Sequence, residues 1–249
     1  LKNIDTVPDY LPDYILKKFN LVSLDRAIRD IHFPKDDTTL QNARDRLIFD
    51  ELFILQLSLL TLKNDNSTVK TGNIIARDYS EEFFALLPFT PTNAQKRAVK
   101  DAVADMQSGK QMNRLLQGDV GSGKTAVAAS IVYTAAKNDM QSALMAPTEV
   151  LATQHFETFE KMFNGTGIRC ELLTGSTKAK EKKEIKQRLE NGEIDLIIGT
   201  HALIQDDVVF KKLGLVITDE QHRFGVKQRT GLCAKGDNPH VYVMSATPI

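Results

Sequence analysis

The chain has 249 residues, a length that suits one large domain or a domain with a smaller unit beside it. Hydrophobic residues make up 42% and charged residues 26%, which are the proportions of an ordinary globular protein, so we expect a sizeable core. Lysine and arginine (32) balance aspartate and glutamate (32). This balance excludes a chain-wide basic field for nucleic acid but is compatible with a local basic stripe.

Cysteine usage and hydropathy argue against a zinc-binding protein and against a membrane protein. Cys170 and Cys233 form no C-x-x-C pair, and no histidines cluster beside them, so we predict reduced thiols in a cytoplasmic protein without a zinc site. The most apolar run, 52–62, is shorter than the ~20 residues of a membrane span, so we predict no membrane partner. Because the chain begins at Leu1 and ends at Ile249 directly after a motif, we expect a piece of a longer protein.

The first region in chain order, 1–72, shows helical spacing, and the sequence predicts a small helical region there. Ser23 precedes an apolar stripe and is typical of a helix start. A long helix is predicted from Leu40 onwards, and its extra apolar residues suggest burial on more than one side. The polar run 63–68 is predicted to be a loop.

The second region, 73–249, alternates helices of about ten to fifteen residues with short apolar runs. This alternation indicates βαβ units, so we predict an α/β domain whose parallel sheet is flanked by helices. The predicted helices cover 92–106, 125–137, 149–163 and 178–190, after a short helix that starts at Phe83 and ends before Pro88. The predicted strands cover 114–117, 142–145, 168–173, 195–198, 213–218 and 240–244.

A glycine-rich run follows the first predicted strand of this region and opens a predicted helix. It fits the pattern G-x-x-x-x-G-K-[ST], in which backbone N–H groups surround phosphates and a helix N-terminus adds positive potential. Lys124 can reach the β- and γ-phosphates, and Thr125 can bind Mg²⁺. The sequence therefore predicts a nucleoside triphosphate site made of Gly118, Asp119, Val120, Gly121, Ser122, Gly123, Lys124 and Thr125.

Two acidic residues, Asp219 and Glu220, follow the buried-strand pattern of 213–218. An aspartate at the end of a strand can hold the Mg²⁺ bound to phosphates, and an adjacent glutamate can polarise the attacking water. The separation from Lys124 allows about three βα units. We therefore predict Lys124, Asp219 and Glu220 as catalytic residues, with Thr125 and Asp219 as the metal ligands.

Five short motifs occur in one order along the second region. They are QGDVGSGKT (117–125), APTEVLA (146–152), GTHA (199–202), DEQHRFGV (219–226) and SATP (245–248). This set resembles the first motor lobe of superfamily 2 helicases, and its details resemble the RecG family of bacterial DNA helicases, which remodel stalled replication forks. The resemblance implies a RecA-like P-loop NTPase lobe that uses ATP and Mg²⁺, preceded by a linker region. It also implies three partners: branched or forked DNA, a second helicase lobe, and a wedge domain of the parent chain.

The same resemblance assigns roles to further residues. Gln95 matches an adenine-reading glutamine, whose amide can donate and accept at once and would favour ATP over GTP. Gln95 also lies three residues after Thr92, the spacing of a capping box, so a purely structural role stays open. The residues matched to motifs that contact the nucleic-acid backbone, or couple it to the nucleotide, are Pro147, Thr148, Thr174, Gly175, Thr200, His201, His222, Ser245 and Thr247. Each of these, taken alone, also fits an ordinary cap, turn or packed histidine.

Several alternatives remain at this point. The basic run 178–188 could meet DNA, but interspersed glutamates favour a solvated helix face. His32, His155 and His240 show no partner pattern and are interpreted as structural.

Another DNA translocase, such as a transcription-repair coupling factor, or a nonmotor P-loop ATPase stays open as a function. Because second lobes supply arginines worth ~10³ to 10⁵ in rate, we expect little turnover from this piece alone.

Overall fold

The computed structural model describes residues 6–67, 70–71, 73–219 and 226–246. The chain divides into two compact units, Leu1–Asn66 and Ser67–Ile249. The sequence predicts a division between functional domains at 72/73, and that functional boundary stays a prediction.

The first unit is helical. Its helices are α1 (Asp13–Lys18), α2 (Leu24–His32) and α3 (Asp37–Ser67). The prediction of a polar loop over 63–68 is wrong for 63–67, because the backbone of α3 continues through these residues. Once a helix is nucleated, each added residue gains a hydrogen bond for little further cost, so a polar stretch can extend it.

Helix α3 is also less buried than its apolar residues predict. Leu52, Leu57 and Leu60 are 56%, 53% and 54% exposed, so the prediction of burial on more than one side is wrong. The reason is length. At 1.5 Å per residue α3 is about 46 Å long, whereas α1 and α2 are about 9 and 14 Å long and cannot cover it.

A buried guanidinium holds the first unit together. The side chain of Arg46 is fully buried and donates to Asp9 (Nη1–Oδ2 2.7 Å, Nη2–Oδ1 2.8 Å) and to Asp50 (Nε–Oδ1 2.9 Å). The Arg46 guanidinium lowers the pKa of Asp9 to about 2. The ion pair between Arg46 and Asp9 therefore contributes to the free energy of unfolding. That contribution is complete above the ordinary aspartate pKa of 3.8 and is lost as pH falls towards 2.

The described residues of the second unit form a sheet of six parallel strands in the order β1-β6-β5-β2-β4-β3. The strands are β1 (Asn113–Gln117), β2 (Gln141–Met145), β3 (Cys170–Leu173), β4 (Leu196–Gly199), β5 (Leu213–Asp219) and β6 (His240–Ser245). The helices are α4 (Ser80–Leu86), α5 (Asn93–Gln107), α6 (Lys124–Ala136), α7 (Glu149–Met162), α8 (Ala179–Asn191) and α9 (Val226–Cys233). The predicted α/β class, with a parallel sheet flanked by helices, is confirmed.

Two hydrophobic layers cover the two faces of the sheet. Alternate residues of each inner strand point to opposite faces, which is why the central strands are apolar throughout. Leu144 and Ile217 pack with α5, α6 and α7 in the first layer. Ala143 and Val216 pack with α8 and α9 in the second. The predicted elements agree with the structure to within a few residues, but α1, α9 and a 3₁₀ turn at His201–Ile204 were not predicted.

His240 has the structural role that the sequence suggests. It is fully buried at the start of β6, where its Nδ1 accepts from the N–H of Met112 (3.0 Å). Its Nε2 lies 2.5 Å from the carbonyl oxygen of Asn73 and therefore carries the proton. Burial lowers the pKa of His240, so the neutral ring fixes the segment around Asn73 to the amino end of β6.

Candidate nucleotide and nucleic-acid site

The six strands are parallel, so all their carboxyl ends lie at one edge of the sheet, where open α/β sheets bind ligands. The strand order divides this edge. β1, β6 and β5 are neighbours, and we call their side of the edge the nucleotide half. It carries the P-loop after β1, Asp219 at the end of β5 and the predicted coupling residue Ser245 at the end of β6. β2, β4 and β3 are also neighbours, and the loops after them carry predicted DNA-contact residues; we call this the strand-contact half. The fold thus places the predicted phosphate and metal residues on one side of the edge and the predicted backbone-contact residues that follow β2, β3 and β4 on the other.

The P-loop follows β1 and is built on tight backbone geometry. The N–H of Gly118 donates to the carbonyl oxygen of Ser245 at the end of β6 (3.2 Å). A Cβ on Gly118 would lie 2.7 Å from Ser122 Oγ. Gly121 and Gly123 both have φ of +82°, a left-handed conformation that favours glycine. The backbone of the loop therefore favours glycine at 121 and 123, whereas at 118 an added Cβ would have to displace the Ser122 side chain.

Lys124 is turned into this loop. Its Nζ donates to the carbonyl oxygens of Gly118 (2.6 Å) and Asp119 (2.9 Å). Lys124 is also the first residue of the 13-residue helix α6, and Thr125 follows it, half-buried in the first turn. An ammonium group, a helix N-terminus and glycines without side-chain bulk converge here. This donor set fits a polyphosphate.

Gln95 connects the start of α5 to the P-loop. Its Oε1 accepts from the N–H of Thr92 (2.8 Å) and Thr92 Oγ1 accepts from the N–H of Gln95 (3.3 Å), so the capping box is formed. Its Nε2 also donates to the carbonyl oxygen of Ser122 (2.9 Å). A primary amide has a second N–H and a second lone pair, so adenine reading by Gln95 stays a prediction that is compatible with these bonds.

Asp219 ends β5 and has a partner that the sequence did not indicate. Its Oδ2 lies 2.8 Å from Nε2 of His155, on helix α7. The two side chains are only 14% and 13% exposed. The sequence shows no partner for His155, and the structure supplies one; the interpretation of His155 as a structural histidine stays a prediction. A signal was available, because His155 follows the buried Ala152 by three residues and precedes the buried Phe159 by four, so all three lie on the inward face of α7.

In the strand-contact half, the loop after β2 and the loop after β3 are joined. Thr148 is the exposed N-cap of α7, and its Oγ1 accepts from the N–H of Leu151 (3.3 Å). Glu149 Oε1 accepts from the N–H of Ser176 (3.2 Å). A Cβ on Gly175 would come within 2.7 Å of that carboxylate oxygen, so glycine permits the close approach. Pro147, just before Thr148, is half-buried.

The remaining predicted contact residues differ in accessibility. Thr174 is buried, and its hydroxyl lies 2.9 Å from Ser176 Oγ, which is the local turn role that the sequence leaves open. Thr200 is buried before the 3₁₀ turn, whereas His201 is exposed at its start. Ser245 is buried at the end of β6. Nucleic-acid contact by these residues stays a prediction. The predicted residues Glu220, His222 and Thr247 lie outside the described residues.

A cluster of metal-binding side chains and a membrane-spanning helix are both absent from the described part of the chain. No group of three or more histidine, cysteine, aspartate or glutamate side chains there is arranged to hold a metal ion. No helix in the same part is long and apolar enough to cross a membrane.

The fold and the site define a class of protein. The DEAD/DEAH box helicase family matches residues 92–249, and the chain belongs to this family. The chain is 48% identical over 248 residues to the ATP-dependent DNA helicase RecG of Synechocystis and 49% identical over 247 residues to that of Thermotoga maritima. These alignments cover 99% and 98% of this chain but 30% and 31% of the relatives. The resemblance to RecG helicases predicted from the motifs is confirmed.

A solved structure of RecG bound to a three-way DNA junction gives the same result in three dimensions. It superposes with a TM-score of 0.79 at 46% identity and covers 98% of this chain and 33% of that chain. The RecA-like lobe predicted from the sequence is confirmed by this match. The chain spans about a third of the length of the relatives that it matches.

Proposed function

We propose that this chain is the ATP-binding first motor lobe of a DNA helicase that acts on branched DNA, such as stalled replication forks, in repair and recombination. The observation that carries the proposal is the divided sheet edge, where a P-loop with Lys124 turned inward lies on the same edge as the strand-contact loops. The relatives' names, which include ATP-dependent DNA helicase, support it. The three-way DNA junction to which the related RecG is bound supports branched DNA as the substrate.

The nucleotide half would hold ATP with Mg²⁺. Lys124 and the N-terminus of α6 would contact the phosphates, and Thr125 and Asp219 would hold the metal, which neutralises charge that develops on the phosphates. Mg²⁺ usually takes one or two protein ligands and completes its shell with phosphates and water, which suits this small set of side chains. Gln95 would read adenine, and Glu220 would polarise the attacking water.

The strand-contact half would hold the DNA backbone. Exposed Thr148 lies at the N-terminus of the 14-residue helix α7, and hydroxyls, N–H groups and helix N-termini are typical phosphate contacts that carry no base sequence information. Helix α8 contributes less than its lysines suggest. Lys182 donates to the carbonyl oxygen of Gly175 (2.8 Å) and Lys186 pairs with Asp207 (2.5 Å), so two of its cations are already engaged within the chain, and the interpretation of a solvated helix face is kept for the others.

The remaining parts of the activity belong to the longer protein. We propose that a second helicase lobe and a wedge domain complete the motor in the cytoplasm, because the relatives are about three times as long as this chain. The chain alone would bind ATP with little turnover, since arginines from a second lobe contribute ~10³ to 10⁵ in rate in comparable sites.

ATP hydrolysis by the full-length protein tests the proposal. We expect forked DNA to stimulate ATP turnover more than linear duplex DNA does, and single-stranded RNA to leave it at the basal rate. Lys124→Ala abolishes the stimulated rate, whereas Lys161→Ala, an exposed lysine on α7, leaves it unchanged. Equal stimulation by linear and forked DNA would point to another DNA translocase. Stimulation by RNA would point to an RNA helicase, and a rate that no nucleic acid changes would point to a nonmotor ATPase.

A further inference from the structure

The hydrogen bond between His155 and Asp219 lies at the border between the two halves of the sheet edge. Asp219 ends β5, and His155 lies on α7, the helix that follows β2. β5 and β2 are adjacent in the sheet. The bond therefore joins β5, the strand of the nucleotide half that borders β2, to helix α7, whose N-cap Thr148 belongs to the strand-contact half.

The geometry of the pair defines which atom donates. A carboxylate of Asp219 has only acceptor sites, so Nε2 of His155, 2.8 Å from Oδ2, carries the hydrogen. Both side chains are nearly buried, and the imidazole is packed near the ring of Phe159 with centroids 6.5 Å apart. The bond engages Oδ2, and the carboxylate has a second oxygen for another ligand.

Such a bond has a function where the carboxylate is a metal ligand. The terminal torsion of an aspartate is broad and only weakly restricted by its own rotamer preferences. Carboxylates that ligate metals are themselves commonly held by hydrogen bonds, and loss of such a partner typically costs about 10- to 100-fold in metal affinity or activity. The alternative for His155 is simple packing between Ala152 and Phe159.

We propose that His155 is a positioning residue whose Nε2–H orients the Asp219 carboxylate for the divalent cation that accompanies the nucleotide. The proposal rests on the proposed function, because it requires a metal–nucleotide complex at this edge. It adds a residue outside the motif matches and assigns it to the metal-binding side of the site. The proposal also distinguishes metal binding from phosphate binding. The hydrogen bond should affect the affinity for the metal and not the affinity for the phosphates held by Lys124.

Nucleotide binding to the 249-residue chain, measured by calorimetry with ADP, tests this directly. Each variant is titrated once with EDTA and once with saturating Mg²⁺, and the ratio of the two dissociation constants reports the metal contribution. His155→Phe keeps a ring beside Phe159 and removes the donor. His155→Gln places an amide N–H near the position of Nε2. Glu157→Gln, an exposed change on the same helix, is the matched control.

We expect His155→Phe to reduce the metal contribution by about 10-fold, while His155→Gln keeps it within about 3-fold of the unchanged chain. The dissociation constant in EDTA should be the same in all four proteins. An unchanged ratio in His155→Phe overturns the proposal, as does an equal loss in the Gln and Phe variants, or a loss that is equally large in EDTA. If the unchanged chain binds no ADP under either condition, the proposed function itself is wrong.

Discussion

The two halves of the sheet edge differ in how strictly their chemistry dictates residue type. In the nucleotide half, two glycines adopt φ of +82°, and one ammonium group is held between two loop carbonyls. Few side chains can replace these residues. In the strand-contact half, threonines cap helices and form turns, as they do in many proteins that bind no nucleic acid. A polyphosphate cradle therefore leaves a sharper mark on a sequence than a backbone-contact surface does.

The two halves are similar in one respect, because in each a side chain from the first turn of a helix bonds to the backbone of a loop. Gln95 donates to the carbonyl of Ser122 in the nucleotide half, and Glu149 accepts from the N–H of Ser176 in the strand-contact half. These contacts make the comparison testable. A substitution in the nucleotide half should leave DNA binding unchanged when no nucleotide is present. A substitution in the strand-contact half should leave nucleotide binding unchanged when no DNA is present.

The largest effect is expected from Lys124→Ala. Loss of an ammonium group that contacts phosphates should weaken ATP binding by about 100-fold, because hydrogen bonds to charged groups contribute about 1.5–3 kcal/mol each. Calorimetry on the 249-residue chain measures this change, with Lys161→Ala as the control. DNA affinity of the full-length protein without nucleotide should stay unchanged. A matching loss of DNA affinity would mean that the two halves do not act separately.

A smaller effect is expected from a pair of glycine substitutions that separates two causes of strain. Gly121→Ala and Gly123→Ala impose the same φ of +82° on alanine, at a cost of about 1–2 kcal/mol. Around Gly121 an added Cβ meets nothing within 4 Å, whereas at Gly123 it would lie 2.3 Å from Gln95 Nε2. Gly123→Ala should therefore lower the free energy of unfolding more than Gly121→Ala, by about a further 1 kcal/mol for the displaced Gln95 bond.

Chemical denaturation of the two glycine variants measures this difference. Adding Gln95→Ala to each variant is the control, because it removes the side chain that the new Cβ would meet. The difference between the two glycine positions should then disappear. If it persists, the loop is strained at Gly123 for a reason other than Gln95.

The smallest effect is expected from Glu149→Gln in the strand-contact half. The amide oxygen can still accept from the N–H of Ser176, while one negative charge is removed beside the proposed DNA backbone. DNA affinity of the full-length protein should rise by about 3-fold, since one exposed charge in water is worth less than about 1 kcal/mol. Fluorescence anisotropy at two salt concentrations measures this, and Glu157→Gln should change nothing. Weaker DNA binding in Glu149→Gln would place the carboxylate among the contacts that support DNA.

Much of the second unit could be predicted because its patterns are local. The strand and helix periods, the P-loop and the acidic pair that begins with the last residue of β5 are each contained in a few consecutive residues. The first unit was harder, because α3 is long and its apolar residues stay exposed beside two short helices. The polar end of α3 has the composition of a loop, and composition does not report that a preceding helix can extend through it.

The sequence by itself determined the parallel α/β class, the phosphate site around Lys124 and the resemblance to RecG helicases, because glycine, lysine and aspartate have specific chemistry at fixed spacing. Only the tertiary structure decided the strand order that divides the sheet edge, the formed capping box that also binds the P-loop through Gln95, and the partner of Asp219. His155 and Asp219 lie on different elements far apart in the chain. Their contact depends on the tertiary arrangement that brings the side chain of His155 on α7 to the carboxyl end of β5, which no local pattern encodes.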